Sequence, residues 1–227
     1  MKNIVFTLLL AAMTWTATAV ELKSEGRDKG YVETILGRSQ KVVDKLGIED
    51  AEKAEAVRNI IANRYFELND IYEARDQKLA AIKEQGLTGD AKKQAQELAR
   101  FECDSKLYRS HFAFPAALSL YLNDEQITAV KDGMTFGVVK VTYDSHLDMI
   151  PSLTDEEKEQ IRIWLEEARE LAIDAESSKK KHEVFGKYKG RINNYLAKRG
   201  YDLTAEREAW YKRIEERKKN EELKIQN

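Results

Sequence analysis

Two stretches of this sequence carry residue types whose spacing could do chemistry. In "TYDSHLDM", Thr142 to Met149, the side chains of Asp144, His146 and Asp148 alternate. On an extended strand, whose side chains repeat every second residue, all three share one face and could hold a metal ion or exchange a proton. Asp144-Ser145 is equally ordinary turn chemistry, and no second ligand pair with recognisable spacing occurs elsewhere. The turn reading is preferred, and neither a metal nor any other cofactor is expected.

The second stretch is "EVFGKYKGRINNYLAKRGYDL", Glu183 to Leu203. Placed on a helix that ends at Gly200, where a C-capping glycine belongs, it carries an apolar stripe of Phe185, Tyr188, Ile192, Tyr195 and Leu196. His182, Gly186, Lys189 and Asn193 fall beside that stripe. Each of the two glycines, Gly186 and Gly190, costs about 1 kcal/mol in a helix interior relative to alanine, so their presence asks for a reason. One reason is close packing of another backbone. The other is a shallow concavity floored by backbone and rimmed by Tyr188, Lys189, Arg191 and Asn193, which suits a hydroxyl-rich ligand. On the residues alone, packing is the stronger reading.

Other chemistries find little support. There is no P-loop, no GxSxG elbow, no HExxH and no paired CxxC. Glycoside hydrolysis needs two carboxylates at a defined separation, and no pair stands out among 40 acidic residues. Arg109-Ser110-His111 reads as a helix end, where basic groups favour the negative end of the dipole. Trp164 continues the stripe of Ile161 and Leu165 and reads as core, while Trp210 and Tyr211 could stack on a ring. Cys103, the lone cysteine, reads as a small buried hydrophobe.

These residues must be positioned by helices. Apolar side chains recur at spacings of three and four, and only two prolines interrupt them, so the chain reads as mainly α. A first stripe, Val32 to Leu46, is stopped by Gly47. A long helix over about 50–85 and an antiparallel partner from Asp90 to about His111 are joined at "GLTG". Pro115 opens a short buried helix. Asn123 with Gln126 and Thr154 with Glu157 have the spacing of capping boxes, and Thr204 marks a further helix start. "FGVVKVTY", Phe136 to Tyr143, is β-branched and aromatic and reads as a strand, with "HLDMI" as its hairpin partner over about 136–149. The polar residues from about 218 to 227 are expected to fray. The expected architecture is one helical domain, 20–227, with long antiparallel helices and one short β-hairpin.

Residues 1–19, "MKNIVFTLLLAAMTWTATA", have a basic start, a short apolar run and the small-x-small pattern Ala17-Thr18-Ala19. They read as a cleaved signal peptide, so the protein is expected in the periplasm or outside the cell, with no integral membrane span. A net charge of −2 with 34% charged residues gives no argument for nucleic acid as a partner. Oligomeric state is left open.

The segments "DGMTFGVVKVTY", "LDMIPSLTDEEKEQI" and "WLEEARELAIDAESSKKKHEVFGKYKGRINNYLAKRGYDL" resemble domain-of-unknown-function family 3826, secreted proteins of gut and soil Bacteroidetes. The resemblance covers Val42 to Leu203 and is most specific over Phe185 to Leu203. Members are described as sugar-binding and look similar to products encoded among polysaccharide-utilisation genes. The resemblance therefore implies an accessory role in carbohydrate utilisation with a glycan or oligosaccharide as partner, and no catalytic residue is carried over from it. With it, the glycine-bearing helix, including Asn194, is as good a candidate for a site as for an interface. Two alternatives stand beside this reading. "LNDEQITAV" and "LTDEEKEQI" resemble segments of small helical periplasmic chaperones, which are shorter and basic. A glycan-active enzyme working through Asp144, His146 or Asp148 ranks third. An aromatic-lined concavity marks the binder, exposed apolar surface the chaperone, and carboxylates converging in a cleft the enzyme.

Overall fold

A computed structural model describes residues 20–225 and, among them, shows nine α-helices and no strand. The expected signal segment lies outside the described residues. The helices are α1 (Lys29–Val43), α2 (Ala51–Glu84), α3 (Gly89–His111), α4 (Ala113–Leu118), α5 (Asp124–Met134), α6 (Val138–Met149), α7 (Asp155–Ala172), α8 (Ser178–Lys198) and α9 (Leu203–Ile225). No described helix is long and apolar enough to cross a membrane.

Local chemistry sets most boundaries. Asp50 accepts from the backbone N–H groups of Glu52 and Lys53 to start α2, whose 34 residues reach about 51 Å. Gly86 and Gly89 take left-handed backbone at the turn into α3, which returns against α2. Both expected capping boxes are formed, Asn123 with Gln126 at α5 and Thr154 with Glu157 at α7. At α9 the capping side chain is Asp202, which accepts from the N–H groups of Thr204 and Ala205. This helix continues to Ile225, through the polar stretch expected to fray.

The strand and hairpin expected over 136–149 are replaced by α6. Phe136 and Gly137 both adopt left-handed backbone, φ 63° and 65°, and turn the chain from α5 into a new helix. The buried residues Val139, Thr142, His146 and Met149 then fall at helical spacing against α7. Strand propensity of the β-branched run is overridden by this packing. The shared face of Asp144, His146 and Asp148 is thereby lost. Exposed Asp144 pairs with Lys140 at 2.5 Å. Buried His146 places Nδ1 2.7 Å from the carbonyl of Thr142, one turn back. Asp148 accepts from the Trp210 indole at 2.6 Å and from both Arg217 guanidinium nitrogens, which pins α9 to α6. Among the described residues no three His, Cys, Asp or Glu side chains are grouped to hold a metal ion.

Two large hydrophobic clusters hold the helices, with a smaller third of Ile35, Ala62 and Phe66 between α1 and α2. One joins α1, α2, α4 and α5 around Val57, Ile61, Leu118 and Val130. Here Gly133 permits close approach, because a Cβ on it would lie 3.0 Å from both methyls of Val42. The other joins α6, α7 and α8 around Ile161, Leu165, Phe185, Ile192 and Leu196. Ile173, at the end of α7, belongs to the first cluster, so α7 links the two.

Polar groups lock the seam. Lys181 is 5% exposed and donates to the carbonyls of Met134 (3.0 Å) and Ile173 (3.2 Å), the last carbonyls of α5 and α7. Beside it Arg64, 2% exposed, donates to Asp174 at 2.7 Å and to Ser110 at 2.8 Å. At the far end of α7, Glu157 is 2% exposed and accepts from the Thr154 N–H, the Tyr201 hydroxyl and Arg199.

Two pH effects on stability follow. Burial pushes the Glu157 carboxyl up, but the hydrogen bonds from Thr154, Tyr201 and Arg199 outweigh it and bring it from 4.5 down to about 2. A lowered folded value means stability fully present above pH 4.5 and lost as pH falls toward 2, about 3 kcal/mol in all. Urea unfolding of Glu157→Gln against the parent should show their stability gap closing over that window, and a constant gap would refute the assignment. Burial lowers Lys181 from 10.5 to about 8, so the unfolded chain binds more protons between these values. Its contribution should therefore improve by about 3 kcal/mol as pH rises through that window. The parent should gain on Lys181→Met there, and parallel profiles would exclude it.

Candidate functional site

The helix that carries the sequence-predicted residues is α8. Ser177 caps its start, accepting from the Lys180 N–H. Its end is a Schellman motif: the Tyr201 N–H bonds the Leu196 carbonyl and the Gly200 N–H that of Ala197, with Gly200 at φ 99°. Lys181, Phe185, Ile192 and Leu196 are buried on its inner face, while Tyr188 and Tyr195 are half-buried.

At about 100° per residue the predicted residues divide between two flanks of this buried stripe. His182, Gly186, Lys189 and Asn193 fall on one flank, where His182 stacks on exposed Phe136 with ring centroids 5.2 Å apart. Arg191 and Lys198 fall toward the other, with Lys187, Asn194 and Gly190 beside them on the outward face. That second flank lines a shallow concavity of about 620 Å³, which Trp164 of α7 and Tyr195 complete.

The concavity is a built platform. The rings of Trp164 and Tyr195 meet edge to face with centroids 5.2 Å apart. The Arg191 guanidinium lies 4.4 Å from the Trp164 ring centre and 5.9 Å from that of Tyr188, and Glu167 holds it at 3.3 Å. Burial, followed by contact with Glu167, pushes the Tyr188 hydroxyl up to about 12, so it is a neutral donor at physiological pH. Trp164, read from sequence as core, is half-buried and offers part of its ring to this surface.

Neither predicted glycine makes a close packing contact. A Cβ placed on Gly186 or on Gly190 would meet nothing within 4 Å. The packing reading of the two glycines is thus not supported, and at Gly190 the bare backbone forms part of the platform floor.

Lys187 also lines a larger groove of about 680 Å³ between α2–α3 and the α7–α8 junction. The two concavities meet at Lys187, and their α8 residues run from Lys180 to Lys198, a track of about 27 Å. Tyr108 and Phe112, 70% and 58% exposed, stand on the groove wall. Inside it His111 places Nδ1 2.7 Å from Asp174 Oδ2. An ionised carboxylate only accepts, so His111 carries its Nδ1 proton, and Nε2 lies 3.8 Å from Glu170. Burial pushes the Tyr72 hydroxyl well above its ordinary value, and it donates to the Asp174 carbonyl at 2.8 Å. Sequence reasoning took His111 for a helix terminus and passed over Asp174. The two are 63 residues apart, and no local motif joins them.

The model of the family described as "Protein of unknown function (DUF3826)" matches residues 32–216. The chain belongs to the DUF3826 family. The match takes in all of α2 to α8, and so both walls of the track. No curated protein matches the chain. In this DUF3826 protein Cys103 is buried, and burial pushes its thiol up, away from the reactive thiolate.

The open space at both glycines gives a measurable contrast. Gly186→Ala and Gly190→Ala should each stabilise the protein by about 0.5–1 kcal/mol in thermal or urea unfolding, because alanine gains helix propensity and meets no neighbour. A loss of stability in either would mean that a close backbone contact had been missed.

Proposed function

We propose that this DUF3826 protein is an exported accessory of polysaccharide utilisation that captures glycan chains on the outer flank of α8. The observation that carries this reading is the platform: two contacting rings, a guanidinium fixed over one of them, and a helix backbone left bare at Gly190. A pyranose ring has an apolar face to lay against the exposed parts of the Trp164 and Tyr195 rings and a rim of hydroxyls to meet Arg191 and Asn194. Its approach needs a floor without side chains, which a glycine in mid-helix supplies despite its cost to helix stability. The adjoining groove extends the surface to more than one sugar residue.

Capture is favoured over hydrolysis by the state of the groove carboxylates. Glu170 is held by Lys131, Asp174 by Arg64 and His111, Glu176 by Arg75, and Glu183 by Lys180. A glycosidase needs one carboxyl group free to give its proton and a second free to attack or activate water. These four are committed to ion pairs instead, which among the described residues leaves Asp104 as the one unpaired carboxylate in the groove lining, without the second that hydrolysis needs.

A chaperone-like role is a second reading, favoured by one feature. Leu98, Phe101, Tyr108 and Phe112 lie on one face of α3 and are each more than half exposed. Such a stripe could hold an unfolded client.

A thermal-shift and calorimetric screen of residues 20–227 against polysaccharide fragments separates the two. Capture on the platform predicts a hit that Arg191→Ala and Trp164→Ala each weaken about tenfold, and that Lys189→Ala with Asn193→Ala leaves unchanged. Binding lost in the Lys189/Asn193 variant would move the site to the other flank of α8. Absence of any hit, together with suppressed aggregation of an unfolded client that is lost in Phe101→Ser, would favour the chaperone.

A further inference from the structure

The two halves of the track along α8 differ in charge. Lys187, Arg191 and Lys198 line the platform, and no carboxylate is among its lining residues. Arg191 is partnered by Glu167, but neither Lys187 nor Lys198 makes an ion pair among the described residues. The groove beyond Lys187 instead presents Asp104, Glu170, Asp174, Glu176 and Glu183, of which the last four are already ion-paired, Glu176 with Arg75 and Glu183 with Lys180 in the same lining.

From this asymmetry we infer that the platform selects an acidic sugar residue, carrying a carboxylate or a sulfate ester, whose neighbour in the groove is uncharged. The inference rests on the reading of the platform as a glycan site and names its substrate class. Two features support it. Lys187 and Arg191 stand at i and i+4 on α8 and both line the platform, so two cations are presented to one ligand. The Arg191 guanidinium is already oriented by Trp164, Tyr188 and Glu167, so its planar fork is set to meet an anion without losing further freedom. A neutral sugar would use the rings and the bare backbone but draw nothing from the cations.

Rings and cations together also suit single-stranded nucleic acid. A phosphodiester strand, however, would carry its charge on into a groove where Arg75 and Lys180 are already paired with Glu176 and Glu183, and among the described lining residues would find no free cation beyond Lys187. An oligosaccharide with one acidic residue needs none there.

The test is calorimetry of residues 20–227 with four probes of matched length: a neutral oligosaccharide, the same chain with one uronate residue, the same chain with one sulfated residue, and a single-stranded oligonucleotide. One or both acidic saccharides should bind about tenfold or more tightly than the neutral one, as expected for one charge-assisted contact. The uronate and sulfate arms tell the two sources of charge apart. That preference should shrink as salt is raised through about 0.5 M, and should disappear in the triple variant Lys187→Gln/Arg191→Gln/Lys198→Gln, whose changes are all at exposed positions. Equal binding of neutral and acidic saccharides would overturn the charge selection and leave the platform reading standing. Tightest binding by the oligonucleotide would overturn the saccharide class. Failure of every saccharide to bind would remove both the inference and the reading beneath it.

Discussion

The arrangement of this fold turns on one buried ammonium group. A helix leaves its last carbonyls without intrahelical donors, and α5 and α7 both end inside the protein, where water is scarce. Lys181, in the first turn of α8, supplies the donors for both ends at once and lies 5.5 Å from the Tyr65 ring of α2. One side chain thereby fixes the start of α8 against elements from both large hydrophobic clusters. The Arg64–Asp174–His111 chain beside it adds α2 and α3 to the same seam. The outward direction of the opposite flank of α8, and so the track along it, depends on this anchoring.

Much of the fold was legible because local chemistry decided it. The two capping boxes, the glycine turn between α2 and α3, the extent of α2 and the C-terminal glycine of α8 each depend on residues a few positions apart. The segment 136–149 was misread because its β-branched run carries a strand signal, while its burial at helical spacing against α7 is a tertiary effect. The turn that allows it puts a phenylalanine, not only a glycine, in left-handed backbone, and no sequence rule anticipates that.

The candidate site shows the same division. Reading 183–203 as a helix with two costly glycines was sound, and it led to the helix that bears the track. The residues there were sorted by nearness to an apolar stripe, which cannot say which flank of the stripe faces open space. Trp164, 31 residues before its contact Tyr195, completes the platform from another helix. Asp174 and His111 likewise meet only because α3 and α7 are brought together.

The α2–α3 pair adds a mechanical aspect to the molecule. Beyond Leu68, α2 buries little except Ile82, and α3 buries only Ala99 and Cys103, so the pair projects from the clusters as an arm. Its tip lies about 24 Å beyond Leu68 along α2. Tyr72, Arg75, Tyr108, His111 and Phe112 sit toward the base of this arm, and there they form one wall of the groove against α7 and α8. The arm is therefore a lever with its short end at the groove. A small tilt of the tip would be delivered, reduced in amplitude and increased in force, as a change in the width of the groove.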